Sequence, residues 1–148
     1  MHILVPLRIM KQHPIIKVLK NDTRYKLEAY EFVREALAYA QDKMGIDNSE
    51  VTDDDDQAAK ERHLTGQQLC EASRKYALEE YGMMSRLVLE SWGIYSTSDL
   101  GDVVYNMIEA QLMKKSESDR REDFNDVFDF VDAFESNFEI EVPDQSEK

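Results

Sequence analysis

The chain is 148 residues long, enough for one domain with a hydrophobic core. Hydrophobic residues make up 42% and charged residues 33%, and 31 Asp and Glu against 18 Lys and Arg leave a formal net charge of −13. Affinity for phosphate backbones comes from Lys and Arg, so this balance argues against direct nucleic-acid binding. Cys70 is the single cysteine, which excludes an intramolecular disulfide and any cysteine cluster for zinc.

Charge is unevenly spread: residues 1–44 carry +3, 45–65 carry −5, 66–115 carry −2 and 116–148 carry −9. Arg8, Lys11, Lys17 and Lys20 precede the first acid, so a basic N-terminus can meet an acidic C-terminus, within one molecule or between two copies. Met1 to Leu7 is apolar but short, and Pro6 interrupts it, so no signal peptide is expected. No apolar run reaches membrane-spanning length, and the expectation is a soluble cytoplasmic protein.

In chain order, His2–Leu7 suits a short strand or a frayed end. Ile9, Ile16 and Leu19 give a weak helical pattern, and Pro14 places a helix start near His13. Asn21-Asp22-Thr23 supplies a turn and a cap, and Thr23 to Met44 is the clearest long helix. Its stripe is Tyr30, Val33, Leu37, Ala40 and Met44, widened by Ala29, Phe32 and Ala36, with Gly45 as the stop. Residues 47–60, with Asp53 to Asp56 in a row, read as an acidic loop; no register supplies the Gly and Glu that a calcium-binding EF-hand needs.

The stretch from His63 to Met113 is the best punctuated. Thr65 and Gln68 make a capping box, flanked by Leu64 and Leu69 as a hydrophobic staple. A helix from Gly66 to Tyr81 buries Leu69, Ala72, Tyr76 and Ala77. Gly82 and Gly93 sit where left-handed C-terminal caps belong, with Leu78/Met83 and Leu89/Ile94 placed for the accompanying apolar contacts. Between them a short helix, Met83 to Trp92, sets Met84, Leu87, Val88 and Trp92 on one side. The next runs from near Thr97 to Met113 with Leu100, Val103, Val104, Met107, Ile108 and Leu112 as its stripe, and Asp99, Lys114 and Lys115 placed to suit its dipole. Gly101, inside that helix, signals a close approach by another element. Finally an acidic-aromatic helix spans 123–138, with Phe124, Val127, Phe128, Val131 and Phe134 on one face and Phe130 at its edge; Phe138, Ile140 and Val142 alternate like a short strand, and 143–148 form a tail.

Chemistry is sparse in this inventory. His2, His13 and His63 are the only histidines, and none stands in a pattern with a nucleophile. The Glu-x-x-His pairs of a di-iron bundle are missing, as is any Gly-rich phosphate loop. Cys70 is expected half-buried and inert. Met83 to Met113 has the outline of a helix-turn-helix, yet its second helix carries Asp99, Asp102 and Glu109 and no cation before Lys114, which is poor equipment for reading bases. Catalytic, metal and cofactor residues are therefore not assigned.

The motifs His63-Leu64-Thr65-Gly66-Gln67-x-Leu69, Trp92-Gly93-Ile94 with Thr97-x-Asp99, and Asp123-Phe124-x-Asp126-Val127-x-Asp129-Phe130 together resemble an uncharacterised bacterial family named after a locus tag. The resemblance covers roughly Ile15 to Phe134 and implies membership without a mechanism.

These readings converge on a mainly α fold, a compact bundle of four to five helices with a small two-stranded element from the termini, in one domain over residues 1–142. Its expected core is Tyr30, Val33, Leu37, Leu69, Tyr76, Leu87, Val88, Trp92, Leu100, Val104, Met107 and Ile108. The expected function is a non-enzymatic acidic adaptor or regulatory module for a protein partner, basic in character, or for a second copy. The alternative is a nucleic-acid-linked regulator, either helix-turn-helix-like or an acidic mimic. Candidate partner-binding residues are Trp92, Thr97, Asp99, Phe124, Asp126, Asp129, Phe130 and Phe134. On this reading the docking segment is 123–138, and removing 123–148 should leave a folded core.

Overall fold

The computed structural model describes residues 14–43, 64–115 and 119–135. It is a compact, mainly α bundle: α1 is Pro14–Asn21, α2 Leu27–Asp42, α3 Gly66–Tyr81, α4 Ser85–Ser91, α5 Thr97–Glu109 and α6 Phe130–Phe134, with 3₁₀ turns at Gly82–Met84 and Arg121–Phe124. No strand occurs among the described residues. The expected strands at 2–7 and 138–142, the 47–60 loop, the 143–148 tail, Gly45 and His63 lie outside the described residues.

Pro14 opens α1 as the sequence suggests, and Val18 is its buried residue. α2 begins at Leu27, four residues later than expected. The cause is Tyr25, which is 2% exposed and so must stay out of the helix to reach the core. Lys26 is extended, and its N–H donates to the Trp92 carbonyl at 3.1 Å, fixing the entry to α2 on the α4–α5 turn. From there Ala29, Tyr30, Phe32, Val33, Ala36 and Ala40 pack against α3 and α5.

The Thr65 capping box is present: the Gln68 N–H donates to Thr65 Oγ1 at 3.0 Å, and the Thr65 N–H donates to Gln68 Oε1 at 2.9 Å. Gly82 follows α3 with φ 55° but ψ −129°, so the expected left-handed cap does not form, and a 3₁₀ turn stands where the start of the next helix was expected. The Ser85 hydroxyl reaches the Gly82 carbonyl at 2.7 Å and the Ala77 carbonyl at 2.9 Å. That tie turns the Ser85–Leu89 side of α4 inward. The expected inward stripe is reversed in consequence: Leu87 is 58% and Met84 53% exposed, while Val88 and Trp92 are half-buried. At the far end, Ile94 N–H donates to Leu89 O and Gly93 N–H to Glu90 O, both at 3.0 Å, which is the expected Schellman cap with Leu89 and Ile94 buried.

α5 ends at Glu109, short of the expected Met113. A second Schellman pattern closes it: Leu112 N–H donates to Met107 O at 2.8 Å and Gln111 N–H to Ile108 O at 2.9 Å, with Gln111 in the left-handed region at φ 65°. Lys114 and Lys115 therefore lie beyond the helix end rather than on its dipole.

The expected single helix over 123–138 is divided into two pieces by residues 125–129. Asp126 has φ 51°, and Asp129 is extended, its carboxylate accepting from the Val131 and Asp132 N–H groups. Asp129 thus acts as an N-cap for α6 and stops the helix from continuing through it. The segment lies across α3 and α5 and ends on α4. Two glycines admit it: a Cβ at Gly66 would meet Asp123 Cβ at 2.8 Å, and one at Gly101 would meet Phe124 Cβ at 2.7 Å.

Candidate functional site

The start of α5 gathers the most polar side chains. Ser96 caps it, accepting from the Asp99 N–H at 3.3 Å. The Asp99 carboxylate takes the Tyr95 N–H at 2.8 Å on one oxygen and the Tyr25 hydroxyl at 2.7 Å on the other. One turn on, Asp102 accepts from Arg121 Nη2 at 2.7 Å and Nε at 3.0 Å, and from Arg24 Nη1 at 3.2 Å. Arg24 in turn forks onto Asp22 through Nε at 2.9 Å and Nη2 at 2.7 Å, and Asn106 donates to Asp22 at 2.9 Å. The Arg24 hydrogen bonds, against a smaller opposing effect of burial, hold the Asp22 carboxyl well below the usual carboxylate range. Burial, reinforced by Asp99, pushes the Tyr25 phenol up and keeps it neutral.

This cluster is a clamp. It fastens the α1–α2 turn, through Arg24 and Tyr25, and the C-terminal segment, through Arg121, onto one turn of α5. It also consumes the face a recognition helix would need. Ser98 O and Oγ accept from Arg121 Nη2 at 2.7 and 3.1 Å, and Thr97 Oγ1 donates to Phe124 O at 2.6 Å while accepting from the Val127 N–H at 3.2 Å. The α4–α5 pair therefore keeps the outline of a helix-turn-helix, with the side chains at the start of its second helix engaged inside the fold. Thr97 is 1% exposed and structural.

The C-terminal candidates divide. Phe124 and Phe130 are each 5% exposed and Phe134 1%, and Phe130 and Phe134 meet edge-to-face at 5.0 Å between centroids. These rings belong to the core, so the expectation of an aromatic docking segment at 123–138 is corrected. The companion expectation, that removing 123–148 leaves a folded core, now meets three buried rings, each worth about 3–5 kcal/mol on truncation to Ala, so the deletion is expected to destabilise the fold. Asp126 and Asp129 are exposed, Asp129 being occupied as a cap.

Six of the eight candidates line two adjoining grooves on either side of Tyr95, which is 61% exposed. The groove of about 460 Å³ on the α2 side includes Trp92 and Asp99; the other, about 440 Å³, includes Thr97, Asp126, Asp129 and Phe130. A further apolar cleft of about 450 Å³ has Leu37, Leu69, Val104 and Ile108 in its walls; Leu64, Lys114 and Asp119, at the edges of the described segments, complete its rim. Cys70 is fully buried rather than half-buried, and burial pushes its thiol up to about 12, so it is an inert core group.

Trp92 also belongs to a feature that sequence reasoning missed. Its ring lies 6.0 Å from Tyr81, edge-on at 81°, and 6.0 Å from Phe32. Phe32 continues to Tyr76 at 5.6 Å, and Tyr76 to Tyr39 at 5.6 Å. Tyr39, Tyr76, Tyr81 and Trp92 are all half-buried, two partly exposed pairs joined beneath the surface by the buried Phe32 into an aromatic strip along α2 and α3 that reaches α4. Carboxylates accompany it: Tyr76 donates to Glu35 at 2.8 Å and Tyr39 to Glu79 at 3.0 Å. Burial first, then the charges of Glu35 and Glu80, raise the Tyr81 phenol. On the outer face of α4 and the turn before it, Met83 is 67%, Met84 53% and Leu87 58% exposed. The sequence signal is the α4 stripe itself, whose spacing predicts a core face.

Among the described residues no helix is long and apolar enough to cross a membrane. Compared with known protein families, curated proteins and solved structures, the chain matches none of them.

Proposed function

We propose that this protein is a non-enzymatic interaction module that docks a protein partner on the outer face of α4 and the aromatic strip beside it. One observation carries the reading. Met84, Leu87, Val88 and Trp92 repeat at the spacing of a buried helix face, yet the fold leaves Met84 and Leu87 more than half exposed. Large apolar side chains clustered with Tyr and Trp are the composition of interface anchors rather than of ordinary surface. The reading moves the docking surface from 123–138 to α4, and keeps Trp92 from the original candidates. Asp126 and Asp129 remain as acidic groups at the edge of the neighbouring groove.

The test is Leu87→Asp in the full chain. The variant should keep the wild-type helical content and melting temperature. A tagged wild-type protein should retain a partner from its own cell lysate that the variant loses. Identical captured proteins with both baits would reject the surface. A nucleic-acid reader through α5 lacks support, because the clamp occupies the start of that helix.

A further inference from the structure

We propose that the segment received by this face is a cationic amphipathic helix of another protein, its apolar side on α4 and its Lys or Arg heads on the carboxylates of the aromatic strip. This rests on the reading of α4 as the docking surface and adds the chemistry of the occupant.

Met83 and Leu87 are four apart, as are Met84 and Val88, and Val88 is four before Trp92. A ridge at that spacing is matched by a second helix offering anchors three and four residues apart. Unbranched Met83 and Met84 can adjust to such anchors.

Charge selects the partner's sign. Glu35 and Glu79 lie in the strip through their tyrosines, and Glu80 stands beside Tyr81. Arg86, the one cation of α4, is held by Glu90 at 2.9 Å and by Glu135 of the α6 end at 2.8 Å, and so serves the internal α4–α6 contact. The cations at the margin are Lys26, in the groove with Trp92, and exposed Lys75, next to Tyr76 on α3. The surface is thus apolar and aromatic with a surplus of carboxylates, and the half-exposed Tyr81 and Trp92 rings offer π faces to Lys or Arg as well.

A second copy is disfavoured by the same observations. It would bring two chains of net charge −13 together, and set the Glu35, Glu79 and Glu80 groups of one against those of the other.

Trp92, the only tryptophan, makes the test direct. The full chain is titrated with a short synthetic Leu/Lys peptide in helical phase, a scrambled peptide of the same composition, and an oligolysine of equal charge. The phased peptide should shift Trp92 emission to the blue and bind about tenfold or more tighter than the other two, the scale of one leucine's burial. Leu87→Asp should weaken it by a similar factor, and rising salt should weaken it further. Equal binding of all three probes would overturn the proposal in favour of a bare polyanion, as in a nucleic-acid mimic. Sedimentation showing a dimer that Leu87→Asp dissociates would overturn it in favour of a second copy. If the phased peptide fails to bind while a Leu87-dependent partner is still captured from lysate, the cationic helix is wrong and the docking surface stands. If both fail, both are wrong.

Discussion

Gly101→Ala sets local propensity against tertiary packing, and the structure says that packing wins. In an exposed helix interior the change stabilises by about 0.5–1 kcal/mol, through helix propensity and a less mobile unfolded chain. At Gly101 the added Cβ would stand 2.7 Å from Phe124 Cβ, 2.8 Å from Phe124 Cγ and 2.7 Å from Arg121 Nη1. The arginine tip can swing aside. Phe124 Cβ cannot, because it is fixed to backbone whose carbonyl accepts from Thr97 Oγ1 at 2.6 Å. Restoring an ordinary contact of 3.4 Å needs a displacement of about 0.7 Å in the 3₁₀ turn, which strains that hydrogen bond. Overpacking of this kind costs about 1–3 kcal/mol and the strained bond about 1 kcal/mol more. After the propensity gain, the net effect is a destabilisation of about 1–3 kcal/mol. For a chain of this length that lowers the melting temperature by roughly 3–9 °C. Urea unfolding followed by circular dichroism measures it, with the midpoint falling at unchanged slope. A midpoint that rises would mean that the 119–135 segment does not rest on Gly101.

Gln111→Gly should do the reverse: φ 65° costs an L side chain about 1–2 kcal/mol, against about 0.5–1 kcal/mol for the freer unfolded chain, so the net gain is about 0.5–1 kcal/mol and a thermal melt should rise by about 1–3 °C. Leu87 and Leu89 are two residues apart and should behave oppositely: Leu89→Ala, at 1% exposure, should cost about 2–5 kcal/mol, and Leu87→Ala, at 58%, no more than about 0.5 kcal/mol in the same denaturation assay. Asp22→Asn tests the clamp through pH. The folded-state pKa of Asp22 lies below its unfolded value near 4, so its contribution is fully present above about pH 4 and is lost as pH falls through the folded value. The wild-type advantage over the variant should therefore shrink below about pH 4. It should be no more than about 1 kcal/mol at neutral pH, because Arg24 is 60% exposed and its pairing is screened. An advantage independent of pH would remove the ionised pair from the account.

What the sequence disclosed follows a physical line. Thr65–Gln68 and Gly93 were legible because each motif closes its hydrogen bonds within a few residues, so no tertiary contact had to be known. The α2 start was missed because Tyr25 is drawn out of the helix by Asp99, 74 positions away. The α5 end was missed because the left-handed cap is a glutamine, which carries none of glycine's signal. The division of 123–138 was partly visible, in that Asp129 three residues before Asp132 is a cap signature as much as a helix-face pattern. For α4 the sequence held a contradiction. Leu89 had to face inward to meet Ile94 in the Schellman cap, while Leu87 and Val88 were also assigned to the core. At 100° per residue, Leu87 and Leu89 cannot share a face. The cap was the stronger constraint, because it has a fixed hydrogen-bond geometry, and it would have placed Leu87 outside.

The use of the arginines connects that reversal to function. Arg24 and Arg121 clamp Asp102, Arg74 pairs with Glu71 at 2.6 Å, and Arg86 joins α4 to α6. Four arginines are thus committed to contacts within the fold: Arg24, Arg86 and Arg121 fix one element on another through their fork geometry, while Arg74 pairs within α3. Outward, the aromatic strip carries Glu35, Glu79 and Glu80 against Lys75. A carboxylate surplus beside exposed apolar side chains resists self-association and is complementary to a cationic partner, so one division of charge serves both the clamp and the docking face. The two roles are separable by mutation: loss of Asp102 should loosen the fold with α4 intact, and loss of Leu87 should spare the fold.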